Sequence, residues 1–563
     1  MNRLRWNLLP PIPTDHPLHG CGLPALTTQL LYNRGLTQPS QVEQFLSADR
    51  RLADDPQLLP DIHQAVGRTY RALLSGEHIA IYGDFDADGI TGTALLTQGL
   101  EALGGCVTPY IPHRLREGHG LNSAALERLG EQGASLVITV DCGITGLTPV
   151  ARAKKKGLDV VITDHHTPLD ELPAAIAAVD PKRADSAYPF TELAGVGVAF
   201  KFLQALYRSM GREQQLEDLL DLVALGTVAD MMPLLGENRY LVKQGLQLMN
   251  KRPRPGIKEM LLLAGISSDS LTTEDISWVL APRLNATGRL EHALSSYRLM
   301  VTESAEEAHQ MALLLEEKNT ERQRLTTRAQ ASAREQVLAA GIQPILITSS
   351  NDYPPGIVGL VAGRLTDEFY RPSVVIKTSD SFSSGSCRSI PEFNIIQALN
   401  RCRHLFSHFG GHARAAGFTL PTKNLPLLEE QLQQMAAEQL AGLDLRPRLD
   451  IDAQANLYQI GGNTYQDMQA LAPFGQGNPT PIFLSRQVEV VNCQKMGSNG
   501  NHLKMKLRQN GVTWDAVAFR LGDCHAEVHS CIDIVYNLKL DEWCGRERLR
   551  LNILDLAASS GSC

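Results

Sequence analysis

HIAIYGDFDADGITG, residues 78–92, is the stretch on which the reading of the fold turns. A short apolar run ends in a turn that carries Asp84, Asp86 and Asp88, and a helix-like stretch, TALLTQGLEALGG, follows. Two later runs share the design. SLVITV is followed by Asp141, and DVVIT is followed by Asp164, His165 and His166. Around them, VTPYI, NSAALERLGEQG and TGLTPVARAKKKG continue an alternation of strand and helix patterns. That alternation predicts a parallel sheet covered by helices. In open sheets of this kind, ligands bind beyond the carboxyl ends of the strands. The acids and histidines stand at those ends.

Three carboxylates within five residues repel one another when all are ionised and close. A divalent cation removes that penalty, and hard oxygen ligands suit Mg²⁺ or Mn²⁺. A calcium loop of the EF-hand type would need flanking helices and a glutamate at loop position 12, whereas a strand precedes this cluster. A solvated acidic turn is the plainer alternative. A lone acid at a strand end is usually a helix cap. Three strand ends that each present Asp or His are hard to explain by capping. Imidazole beside carboxylates favours Mn²⁺ over Mg²⁺. LVALGTVADMMPL adds one acid, Asp230, to an apolar helical run. A charge there needs a partner or a metal, unless it ends the helix facing water.

Outward from this core, 563 residues exceed one hydrophobic core and predict three or four units. Apolar content of 43% and charge of 20% exclude a mostly disordered or collagen-like chain. A net charge of −8 excludes a general basic coat, so nucleic acid would be held in a local groove. No apolar run is long enough for a transmembrane helix, and the N-terminus lacks a signal-peptide core. Ten cysteines without a CxxC pair argue against structural zinc and for a reducing cytoplasm.

Residues 1–75 read as a helical, proline-punctuated N-terminal arm, and 76–300 as the catalytic domain, helical from about Gly195 to Met300. Residues 301–340 read as a long connecting helix, with Ala308, Met311, Ala312 and Leu315 on one face. Residues 341–425 form a second, smaller α/β lobe with eight Lys/Arg against five Asp/Glu. Residues 426–563 alternate short strands with turns (QVEVVNC, LKMKLRQ, TWDAVAF, IDIVYNLKL, LRLNILDL), as in a small antiparallel barrel or sandwich.

GDFDADG, VDCG, TDHH and ALGTVAD resemble the four motifs of the DHH phosphoesterase superfamily. YPFTELAGVGVAFK, APRLNATGRL, PGIVGLVAGRL, GSCRSI, FGGHARAAGF and APFGQGNPTP are similar to segments of the RecJ-type single-stranded-DNA-specific exonucleases, from about residue 75 to the C-terminus. Phe85, His119 and Thr287 depart from the residues frequent in that family.

The resemblance implies a DHH parallel-sheet domain, a connecting helix, a DHH-associated α/β domain and a C-terminal OB-like β-barrel. It implies a 5′→3′ exonuclease that degrades single-stranded DNA to mononucleotides by two-metal hydrolysis, in DNA repair and recombination. Asp84, Asp86, Asp88, Asp141, His165 and Asp230 would hold two Mn²⁺ or Mg²⁺ ions, with Asp141 the bridge. Asp164 would orient an imidazole, and His166 would face the scissile phosphate or leaving oxygen. No nucleophile elbow or triad suggests a covalent route. Arg114 (in the IPHRLREGHG turn), Arg289, Ser386 and Arg388 (in a Gly/Ser loop) and His412 would bind substrate. On the barrel, Lys495, His502, Lys504, Lys506, Phe519 and Arg520 would meet the strand. Partners would be single-stranded DNA, a single-strand-binding protein and a repair helicase, with no membrane. A superfamily relative acting on short oligoribonucleotides or cyclic dinucleotides would need only the two lobes. An inactive replication scaffold would have no use for the complete set of carboxylates.

Overall fold

The computed structural model describes residues 4–267, 270–497, 499–543 and 546–559. Its chain divides into two units: Met1–Ala53 with Pro233–Tyr240 and Arg446–Cys563, and Asp54–Met232 with Leu241–Leu445. Residues 1–75 therefore do not form a single arm. Residues 1–53 pack with the C-terminal barrel, and the helix Ile62–Ser75 packs against the parallel sheet. Nor is that segment wholly helical. A strand, β1 (Arg5–Leu8), pairs in parallel with Arg448–Ile451 far along the chain. Its four residues alternate no apolar pattern, because the pairing partner supplies the sheet.

In the second unit, β2 (His78–Gly83), β3 (Cys106–Tyr110), β4 (Leu136–Val140), β5 (Asp159–Thr163) and β6 (Ala177–Val179) form a parallel sheet in the order β3-β2-β4-β5-β6. β4 and nearly all of β2 and β5 are buried, as strands covered by helices on both faces must be. β6 has only three residues and was not legible in the sequence. The helix Ala87–Glu101 starts inside the acidic motif, with Asp86 as its N-cap: Oδ1 accepts from the Asp88 and Gly89 amides at 3.0 and 3.2 Å.

The helix Ala305–Ala340 runs 36 residues, capped by Ser304, whose Oγ accepts from the Glu307 amide. Ala308, Ala312 and Leu315 are buried in its first half. Ala329, Ala333 and Val337 in its second half join the core of the second sheet with Leu346, Val361 and Leu365. That sheet comprises β7 (Leu346–Ser350), β8 (Ser373–Lys377), β9 (Phe382–Arg388), β10 (His408–His412) and β11 (Ala415–Pro421), in the order β10-β11-β9-β8-β7. Ser386 and Arg388 therefore lie on a strand and not in a loop, a correction to the sequence reading. Glycine and serine look loop-like in a sequence. Here Gly385 lies against the Phe418 ring across the sheet, where a Cβ would come within 2.2 Å of it.

In the other unit, β12 (Arg448–Ile451) is the partner of β1, and β13 (Ala453–Gln454) leads into a closed barrel. β14 (Phe483–Met496), β15 (His502–Gln509), β16 (Val512–Ala518), β17 (Cys531–Trp543) and β18 (Arg546–Ala558) follow the order β14-β15-β16-β18-β17 and close by β14–β17 pairing. One pair, β16 with β18, is parallel, so the barrel is not purely antiparallel. Closure of this kind, with the third and fifth barrel strands parallel, is OB-like, and it leaves no open edge in the barrel. Among the described residues no helix is long and apolar enough to cross a membrane.

Candidate metal centre and anion pocket

Asp84 follows β2, Asp141 follows β4 and Asp164–His166 follow β5, so hydrogen-bonded neighbouring strands deliver them to one edge. The helix Leu220–Ala229 ends at Asp230, its C-cap, which is one-third exposed and faces His165 Nε2 at 3.6 Å. Asp230 is thus a helix-terminal acid that turns toward the cluster. The same nitrogen lies 3.0 Å from Asp141 Oδ1 and 3.8 Å from Asp88 Oδ2. Three overlapping sets have ligand atoms within 4.8 Å of one another: Asp84–Asp86–Asp141, Asp88–His165–Asp230 and Asp141–His165–His166. All six sequence-derived ligand candidates are in these sets, and Asp141 belongs to two.

Backbone geometry supports the cluster. Asp141 sits at φ 60°, the left-handed region that non-glycine residues seldom adopt, and such strain gathers at functional sites. Gly195, at the start of the helix Gly195–Ser209, packs against it so closely that a Cβ would fall 2.5 Å from the Asp141 Cβ. The amides of Gly195 and Val196 donate to Asp88 Oδ2 and Oδ1 at 2.6 and 2.8 Å, so a helix N-terminus holds that carboxylate. Each carboxylate oxygen keeps a further lone pair for a cation. Asn285 Oδ1 accepts from the Ala87 amide at 2.8 Å and fixes the turn from another helix. Sequence reasoning missed Gly195 and Asn285, whose roles depend on residues far away in the chain.

Burial, then mutual repulsion, pushes Asp86, Asp88 and Asp141 above the usual carboxylate range, and Asp230 up to about 7. Burial and the neighbouring His166 charge push His165 down to about 3, leaving a neutral imidazole. Among the described residues no lysine or arginine comes within 4.0 Å of the five carboxylates. Asp84 Oδ1 is buried without a hydrogen-bond partner. Five crowded acids, an orphaned oxygen and a neutral imidazole fit a hard-to-borderline divalent cation.

Asp164 occupies the orienting position. Its Oδ1 accepts from the His165 and His166 amides and from His166 Nδ1 at 2.8 Å, and its Oδ2 accepts from the Ile144 amide at 2.9 Å. Burial alone would lower the His166 pKa. The Asp164 hydrogen bond and the charges of Asp164, Asp230 and Asp84 outweigh it and hold the ring up at about 9. His166 is half-exposed, with its proton available at the mouth of the site.

Beside the acids lies an arginine pocket. Arg114 is on a one-turn helix, Arg114–Glu117, and its guanidinium covers the Phe85 ring at 4.9 Å. Arg289 ends the helix Ala281–Leu290 and donates to the Gly356 carbonyl at 3.3 Å. A Cβ on Gly356 would meet the Arg289 carbonyl at 2.1 Å, so only glycine permits this approach. Arg388 donates to Cys387 O at 2.8 Å and to Ser386 Oγ at 3.5 Å. Burial lowers all three guanidinium pKa values, with Arg289 pushed down to about 9 by burial and then by Arg114 and Arg322. None has a carboxylate within ion-pair distance among the described residues. Half-buried, clustered guanidiniums with no carboxylate partner among the described residues fit a bound anion. Arg322, on the long helix, joins them electrostatically and was missed by the sequence reading; its Nε is buried without a partner. His412 ends β10 exposed, and no described contact brings it to the arginines.

On the barrel, Lys495, Lys504, Lys506 and Arg520 are exposed, and Phe519 is 46% exposed with His502 packed edge-on at 5.3 Å.

Three family models match the chain: the DHH family N-terminal domain over 78–227, the DHHA1 domain over 336–438 and the RecJ OB domain over 451–555. The single-stranded-DNA-specific exonuclease RecJ of Bacillus subtilis is 38% identical over 95% of this chain and 68% of its own length. The Escherichia coli RecJ is 31% identical over 94% of this chain and 95% of its own. Thermus thermophilus RecJ in complex with Mn²⁺ superposes with a TM-score of 0.85 at 28% identity, covering 100% of this chain and 80% of that one. Its complex with Mg²⁺ gives 0.79 at 26% identity, with the same coverage.

Proposed function

Because the chain belongs to the RecJ family of single-stranded-DNA-specific exonucleases, we propose that it hydrolyses single-stranded DNA from the 5′ end, releasing mononucleotides with Mn²⁺ or Mg²⁺. The observation that carries this is the adjacency of an acid cluster without a lysine or arginine partner and an arginine cluster without a carboxylate partner, among the described residues. A terminal phosphate held by the arginines sets the first phosphodiester over the acids. That pairing makes an exonuclease out of a phosphodiesterase.

Asp84, Asp86, Asp88, Asp141, His165 and Asp230 would hold two ions, with Asp141 shared. When bound, such ions activate water and neutralise charge on the attacking and leaving oxygens. Arg114, Arg289, Ser386 and Arg388 bind and orient the 5′-phosphate, with His412 contributing from the exposed hairpin. His166, charged and fixed by Asp164, donates toward the scissile phosphate or the leaving 3′-oxygen. Lys504, Lys506 and Phe519, with Lys495, His502 and Arg520, track the strand on the barrel. The setting is cytoplasmic DNA repair and recombination, beside a single-strand-binding protein and a helicase.

The test is digestion of 5′- and 3′-end-labelled single strands and duplexes. The expected result is single-strand-specific release of 5′-label, abolished by chelator and restored by Mn²⁺. Full activity in excess chelator would sink the reading.

A further inference from the structure

Sequence reasoning assigned every strand end of the first sheet except that of β6. This edge strand pairs with β5, with Thr163 opposite Val179, and the Asp164 amide donates to the Val179 carbonyl at 3.1 Å. Beyond β6 the chain leaves the sheet at Asp180 and enters a turn at Pro181–Lys182. Asp180 is fully buried, and its Oδ1 accepts from the Lys182 amide at 2.7 Å, forming a side-chain turn that fixes the loop.

The two cations of this loop differ. Arg183 is consumed by the fold: it pairs with Asp61 and Asp185 at 2.6 Å each and donates to Ala178 O. Lys182 is half-buried, and among the described residues its ammonium makes no hydrogen bond or ion pair. It is near enough for its charge to act on Asp180, His165 and Asp230. A half-buried ammonium beside the cluster, with no hydrogen bond or ion pair among the described residues, is a site for an anion.

Its position gives that anion an identity. Arg114 follows β3, one edge of the sheet, and Lys182 follows β6, the other. The two edges stand four strand spacings apart, about 19 Å, with the acids of β2, β4 and β5 between them. A strand whose 5′-phosphate lies at the Arg114 edge crosses the acids and leaves over β6. We propose that Lys182 binds the phosphodiester immediately 3′ of the scissile bond, and so sets the direction in which the DNA lies across the sheet edge. This inference rests on the reading of the protein as a 5′→3′ exonuclease.

The experiment measures equilibrium binding of a 5′-phosphorylated, fluorescent oligonucleotide in chelator across a salt series. Wild type, Lys182→Ala and Lys182→Arg are compared on a normal strand and on one with a single neutral methylphosphonate at the second internucleotide linkage. On the normal strand Lys182→Ala should bind about tenfold more weakly, with a log–log salt slope shallower by about 0.7. Lys182→Arg should recover most of the affinity. On the methylphosphonate strand wild type and Lys182→Ala should bind equally, because the charge they differ over has lost its partner. Equal binding of all three proteins to the normal strand would overturn the proposal. So would a Lys182→Ala defect of the same size on both strands, since the lysine would then act through the fold. Wild type that neither binds nor digests single strands would remove the exonuclease reading itself, a failure distinct from either of these.

Discussion

The two five-stranded sheets of the larger unit place chemistry in opposite ways. In the first, β2, β4 and β5 are scaffold, and the candidate metal-binding groups stand just beyond their carboxyl ends. In the second, the groups are on a strand: Ser386 and Arg388 are alternate residues of β9 and share one face of the sheet. The first arrangement converges charges that repel, so it needs buried scaffolding, a strained Asp141 and a metal. The second displays charges on a surface that is already hydrogen-bonded, so it needs little beyond glycine neighbours. Edge chemistry should therefore fail abruptly when one group is lost, and face chemistry should fail by degrees.

The largest test of that contrast is at Asp141. Asp141→Asn keeps the shape and tolerates the left-handed backbone, so it removes charge without adding strain. The expected loss is at least about 10³-fold in kcat, or about 4 kcal/mol of transition-state stabilisation, with single-strand binding in chelator retained. Calorimetric titration with Mn²⁺ should show a matching loss of metal affinity. A variant that keeps a tenth of the normal rate would mean that the edge also degrades gradually, and the contrast would fall.

Arg388→Ala is expected to be milder. KM should rise about tenfold with kcat within about threefold, and the salt slope of binding should flatten by about 0.7. Lysine should restore the slope but only part of the affinity, because a point charge cannot reproduce a fork. Metal affinity should be unchanged. If Arg388→Ala instead abolished kcat and left KM alone, the second sheet would belong to the reacting centre.

This contrast also explains what the sequence revealed. Strand-end acids were legible because two features coincide there: an apolar run of strand length, and a charge that an apolar neighbourhood does not tolerate. The strands β2 to β5 and the long helix were readable from periodicity alone. The placement of Arg388 was not, because a strand built from Gly, Ser and Cys has the composition of a turn. It becomes a strand only through pairing with β8 and β11. β1 and β6 escaped for the same reason: four and three residues carry no pattern, and their partners supply the structure. Gly195 and Gly356 were equally silent, since a close approach is a fact about a distant residue. Residues 1–53 belong with a barrel more than four hundred residues away, which local composition cannot encode.

Ser386→Ala should have the smallest effect and is the finest probe of the face. The hydroxyl lies on the same face as Arg388 and accepts its Nη1 hydrogen bond at 3.5 Å, a long contact. Arg388 keeps its 2.8 Å bond to the Cys387 carbonyl whatever stands at 386, so the guanidinium stays in place. What is lost is one hydrogen bond from an uncharged donor to the phosphate, about 1 kcal/mol, or about fivefold in KM. No charge is removed, so the salt slope should match wild type while that of Arg388→Ala does not. The double variant should be less than additive, because the two side chains share one contact and one ligand. A Ser386→Ala defect as deep as that of Arg388→Ala, with a flattened slope, would show that the hydroxyl positions the guanidinium. The face would then be as cooperative as the edge.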